Sequence, residues 1–237
     1  MENEMILWLD SATSTNDILR SYVNKPNGFC VAAKQQSLGR GQRGNVWQSE
    51  KEANILSSFL FSISAQVSNS FVISMLTSLA IVQFLEKLQC KAYIKWPNDI
   101  IVDNQKIAGM LIENDLLGEI IEYSIIGIGL NVNQKKFENL PKATSLHRLT
   151  GKRYDIPNLI SMLRVELLAE FDANQSFEIV KKRYLEKLYQ SEKAKYFNKN
   201  DQFVAKVMNV EPDGALVLMT TDAVVKKFYF KEIEMDY

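Results

Sequence analysis

The sequence predicts an α+β protein, on two observations. Strand-like apolar runs and long helical stripes come in blocks rather than in strict alternation, and from Asp201 the pattern turns to short strands separated by turns. At 237 residues, 46% of them hydrophobic, the chain can bury a sizeable core with a small domain appended. The expected division is 1–190 and 191–237.

The elements follow in order. Ile6 to Leu9 is a short apolar strand, and a polar turn from Asp10 to Asn16 leads into a helix. Ser14 or Thr15 can cap that helix through a hydroxyl. Alternatively, Ser14, Thr15 and Asn16 point spare donors and acceptors at a polar ligand head. Gly28 to Gln36 reads as a buried strand, and Asn54 to Ile63 as a second one.

Between them lies Gln36 to Glu50, a cationic stretch with Gly39, Gly41 and Gly44 as joints and Arg40 and Arg43 as charges. Such a mobile loop is either a solvated surface turn or a lid completed by an anion. Trp47 favours the lid, because an aromatic just beyond the arginines can stack on a planar ligand.

Phe71 to Leu88 carries apolar residues at helical spacing and reads as a core helix. Strands at Ala92 to Trp96 and Ile100 to Val102 flank Pro97-Asn98-Asp99, and a polar turn enters Lys106-Ile107-Ala108-Gly109. Lys106 either guards a strand edge or reaches a ligand anion beside Gly109. Glu119 to Asn133 is a strand in which Gly127 and Gly129 either mark a bulge or strip side chains from one face, leaving a trough of bare backbone that ends at Asn131. Helices are expected from Asp155, with Pro157 second, and from Ser176 to Leu188.

Composition narrows the function. There are 28 basic and 28 acidic residues, a net charge of zero and a pI near 6.6, which argues against a nucleic-acid or membrane-surface binder. Without a signal sequence, and with no apolar run reaching the ~20 residues that span a bilayer, the expected location is cytoplasmic. Cys30 and Cys90 read as reduced, buried thiols. One histidine, His147, leaves a metal site or a Ser-His-Asp triad without support, so no protein-held metal is expected.

These motifs together resemble the biotin protein ligases, in the short form without an N-terminal DNA-binding domain. The matching pieces are Ser14-Thr15-Asn16, Gln36 with Gly39-Arg40-Gly41, Trp47, Lys95-Trp96-Pro97-Asn98-Asp99, Lys106-Ile107-Ala108-Gly109 and Gly127-Ile128-Gly129-Leu130-Asn131-Val132, with a weaker match at Ala143 to Leu146. The resemblance is dense from about residue 6 to 150. It implies a mixed, mostly antiparallel sheet with helices on one face, like the class II aminoacyl-tRNA synthetases, plus a C-terminal SH3-like β-barrel.

It also implies an activity. Biotin and ATP, with Mg²⁺, give biotinyl-5′-AMP, and a lysine of a biotin carboxyl carrier domain then takes the acyl group. The implied catalytic residues are Lys106 and Arg40. Biotin would meet Ser14, Thr15, Asn16, Gln36, Gly39, Arg40, Gly41, Lys106, Gly109, Gly127 and Gly129, and the nucleotide Arg43, Trp47, Asn98 and Asn131. Trp96, Pro97 and Asp99 are expected to be structural. Many members carry arginines where this chain has Gln42 and Asn45, so either Arg40 or Arg43 meets the phosphate. The resemblance leaves a homodimer open. Lipoate or octanoyl transferases are the nearest rivals, but their arginine-rich, triple-glycine motif is absent; a non-catalytic biotin- or nucleotide-binding module is the other.

Overall fold

The computed structural model describes residues 5–198 and 201–236, without the side chains of Arg43, Ser64 and Asp201. The larger part is a seven-stranded sheet built from β1 (Ile6–Leu9), β2 (Cys30–Ala33), β3 (Asn54–Gln66), β4 (Tyr93–Lys95), β5 (Asp99–Val102), β6 (Gln105–Leu117) and β7 (Ile120–Asn131). Its spatial order is β1-β2-β3-β7-β6-β5-β4. The β1–β2 pair is parallel and the other pairings are antiparallel, so the sheet is mixed and mostly antiparallel as expected.

Among the described residues five α-helices accompany it: α1 (Thr15–Leu19), α2 (Phe71–Lys87), α3 (Leu146–Thr150), α4 (Ile156–Asp172) and α5 (Phe177–Glu186). The strand period of two decides what each face of the sheet holds. On β3 and β7, Ile55, Phe59, Phe61, Ile126, Ile128 and Leu130 join the main core together with Ile73 and Leu79 of α2, Leu163 and Leu167 of α4, and Tyr184 of α5. The intervening residues Leu60 and Ile125 form a small second cluster with Leu19 of α1 and Val31 of β2. The three long helices thus share one face, and the short α1 covers part of the other.

One expectation fails on α2. Val67–Lys87 is long and apolar enough to cross a bilayer by length and composition, contrary to the reading that no such run exists. Ile73, Met75, Ile81 and Phe84 are fully buried in the core, with Phe71, Val72 and Leu76 partly buried against it. A helix hydrophobic on nearly all sides is what packing between a sheet and two other helices requires.

The second part is an antiparallel sheet of β8 (Ala194–Asn198), β9 (Asp201–Val210), β10 (Leu216–Thr220), β11 (Val225–Phe228) and β12 (Glu234–Met235). Its order is β11-β10-β9-β8-β12, and the ladder stays open among the described residues. β8 escaped the sequence reading, which began the strands at Asp201. Trp96 Nε1 donates to the Gly214 carbonyl at 2.9 Å, and its ring meets Phe230 edge-on at 6.4 Å between centroids. Trp96 therefore pins the second sheet against the β4–β5 hairpin, a structural role as expected.

Candidate active site

The face of the sheet that α1 leaves open carries the site. Gly109 of β6 pairs with Gly129 of β7, Leu111 pairs with Gly127, and across β3 Gly127 also faces Ser58. Three glycines in register on one face leave backbone as the floor, so the trough anticipated from the sequence exists. The space is claimed by other side chains. A methyl group added at Gly129 would overlap the Trp47 indole, and one at Gly127 would overlap Oδ1 of Asn16. A cavity of about 920 Å³ opens above this floor, walled by α1, the basic loop, the β4–β5 hairpin and the second sheet.

One end is polar and buried. Ser14, Thr15 and Asn16 line the cavity and are each almost fully buried. Ser14 stands at the N-cap of α1, yet its side chain makes no capping hydrogen bond, so capping does not account for it. Gln36 Oε1 accepts from the Thr15 amide at 2.8 Å and from its hydroxyl at 3.2 Å. The Ser58 hydroxyl lies 2.7 Å from Thr15 Oγ1 and 2.6 Å from Asn16 Oδ1. Asn16 Nδ2 in turn donates to Glu113 Oε2 at 2.8 Å. A chain of fixed donors and acceptors of this kind suits a neutral polar head group.

The other end carries two lysines. Lys106 Nζ lies 2.6 Å from Asp99 Oδ1, and Lys95 Nζ lies 3.5 Å from Asp99 Oδ2. Burial holds the pKa of Lys95 below the ordinary lysine value; Asp99 opposes that shift, and the nearby Lys106 adds to it. Asp99, expected to be structural, bridges the two lysines, and its register with Gly109 brings it to the trough. Asn98 lines the cavity and donates Nδ2 to the Met110 carbonyl at 2.9 Å. Lys106 Nζ stands 5.5 Å from the centre of the Trp47 ring, whose Nε1 is buried without a hydrogen-bond partner.

The loop expected to be mobile has a scaffold of its own. The Trp47 amide donates to the Gly39 carbonyl at 2.9 Å, and the Gly41 amide donates to the Asn45 carbonyl at 2.7 Å. Gly41 and Arg40 line the cavity. The Arg40 guanidinium points to carboxylates, 2.5 Å from Asp17 and 3.5 Å from Glu113. Gly39 lies behind the wall, where a side chain would press on the Trp47 carbonyl. Asn131 ends the trough outside the cavity lining, with Nδ2 donating to the Thr144 carbonyl at 2.9 Å. The side chain of Arg43 lies outside the described residues.

Sequence reading passed over Ser58, Asp17 and Glu113. For Glu113 a signal was available, since it shares the alternation of Gly109 and Leu111 on β6 and so turns a carboxylate toward the site face. Ser58 and Asp17 carry no such mark.

An open sheet face with a glycine floor, a polar end and a lysine end defines a pocket for an elongated small molecule bearing an acid group. Residues 8–131 match the model of the Biotin/lipoate A/B protein ligase family, and the chain belongs to that family. The bifunctional ligase/repressor BirA of Bacillus subtilis is 28% identical over 242 residues, covering 97% of this chain and 74% of the relative. The biotin--[acetyl-CoA-carboxylase] ligase of Mycobacterium tuberculosis is 30% identical over 153 residues, covering 60% of this chain and 54% of the relative. In fold, the chain is similar to a biotin protein ligase from Aquifex aeolicus in complex with biotin and ATP, with a TM-score of 0.79, 24% identity and 98% of each chain covered.

Proposed function

We propose that this protein is a biotin protein ligase, activating biotin with ATP and passing it to a lysine of a biotin carboxyl carrier domain. The observation that carries this reading is the trough itself. Gly109, Gly127 and Gly129 form a flat bed on which the Trp47 indole and the Asn16 amide rest and which a ligand reaches by moving the indole aside, with neutral hydrogen-bonding groups at one end and Lys106 at the other. Biotin has that shape: a ureido ring, an apolar bicycle and a carboxylate tail.

In the first step the biotin carboxylate oxygen attacks the α-phosphorus of ATP and pyrophosphate leaves. Two anions meet, so positive charge must stand where they converge. Lys106 supplies it, and Asp99 holds its ammonium in place from 2.6 Å. Thr15, Asn16 and Gln36 orient the ureido ring, and Trp47 with the Arg40 loop shields the mixed anhydride from water. In the second step the carrier lysine amine attacks the acyl carbon, AMP leaves, and the ammonium formed on the amine loses a proton.

Mg²⁺ fits as a companion of ATP, offsetting phosphate charge. No cluster of three or more His, Cys, Asp or Glu able to hold a metal occurs among the described residues, so phosphate oxygens and water would be its main ligands, with Asn98 Oδ1 as a protein oxygen within the cavity wall.

The test is incubation with biotin, Mg-ATP and a carrier domain, followed by mass spectrometry of the carrier. One biotinyl group on one lysine is expected. Pyrophosphate release with lipoate but not biotin would instead assign the chain to the lipoate branch of its family.

A further inference from the structure

We propose that Glu113 is a positioning residue that latches the basic loop to the polar end of the trough, so that seating of the ligand head and closure of the loop are one event. The inference rests on the biotin reading of the site and adds a role that none of the family-like motifs contains. Glu113 turns onto the site face of β6, two residues beyond Leu111 and opposite Ile125. Its carboxylate meets a residue of α1 and a residue of the loop at once. Asn16 Nδ2, from the buried end of the trough, donates to Oε2 at 2.8 Å, and Arg40, from the loop, stands 3.5 Å from Oε1.

Two further groups complete the latch. Asp17, next to Asn16 on α1, lies 2.5 Å from the same Arg40 guanidinium, and Arg20 of the adjoining turn lies 3.3 Å from Glu113 Oε2. Arg40 is therefore clasped between a carboxylate on α1 and one on β6. Asn16 occupies the space left by the missing side chain of Gly127, so any ligand that presses on Asn16 acts on the residue bonded to Glu113. With a side chain 23% exposed, Glu113 is the better shielded of the two carboxylates, Asp17 being 46% exposed. A less solvated charge is less screened and carries more of the coupling.

The experiment compares wild type with Glu113→Gln and Asp17→Asn. Glutamine at 113 can still accept from Asn16 through its amide oxygen but loses the charge that holds Arg40. Three readouts are taken: melting temperature, trypsin cleavage after Arg40 with and without biotin, and the split between KM for biotin and kcat for pyrophosphate release. For Glu113→Gln the latch predicts an unchanged melting temperature. Cleavage should be about two- to fivefold faster, the range open to one partly exposed ion pair, biotin should protect less, and KM should rise while kcat holds. Asp17→Asn should show the same pattern more weakly. Cleavage and KM equal to wild type in both variants would overturn the latch. If wild type itself released no pyrophosphate with biotin and ATP, the biotin reading would fall instead, so the two failures are distinct.

Discussion

The two faces of the central sheet use the same strands for opposite purposes. Along β7, Ile126, Ile128 and Leu130 are buried in a dense core under three helices, while Gly127 and Gly129 between them present bare backbone to a cavity. Stability and chemistry are thereby interleaved residue by residue, with the strand period keeping them apart. Substitutions on one face should alter folding, and those on the other should alter turnover.

The largest effect on the site face is expected from Lys106→Ala. It removes the ammonium beside Asp99, and adenylate formation should drop by about 10²- to 10³-fold with the melting temperature nearly unchanged, as measured by biotin-dependent pyrophosphate release and thermal unfolding. Wild-type turnover in that variant would end the assignment. Gly129→Val tests the trough directly. Its side chain would take the volume now held by the Trp47 indole, so biotin binding measured by calorimetry should be lost while far-ultraviolet circular dichroism stays native.

On the core face the signs reverse. Ile128→Ala, one residue away, should cost about 2–5 kcal/mol of stability in urea unfolding and leave kcat near wild type in the folded fraction. The smallest effect belongs to Cys30. Burial raises its thiol pKa far above the ordinary range, so it should resist alkylation at neutral pH in native protein and react once urea exposes it. Rapid native labelling of Cys30 would mean that the core opens more freely than its packing implies.

How much of this could be read beforehand differs between the faces as well. Core strands and helices announced themselves through periodicity, as in Phe71–Lys87 and Ile120–Asn131, because burial repeats at a fixed interval. The glycine trough was legible for a related reason, since residues missing at alternate positions empty one face. Contacts across the chain were not. That Asp99 bridges Lys95 and Lys106, or that Glu113 joins Asn16 to Arg40, depends on β5, β6, α1 and the loop meeting in space. Nor could hydropathy alone separate α2 from a membrane span, because a helix enclosed on most sides by protein has the same composition.

The most direct measurement is a crystal structure with a non-hydrolysable analogue of biotinyl-5′-AMP. The account predicts the Trp47 indole displaced from Gly129, the bicyclic ring lying over Gly127 and Gly129 in its place, the ureido group among Thr15, Asn16 and Gln36, and Lys106 Nζ within hydrogen-bonding distance of the acyl-phosphate linkage. An analogue seated away from the glycine floor, with Lys106 turned to bulk solvent, would contradict it.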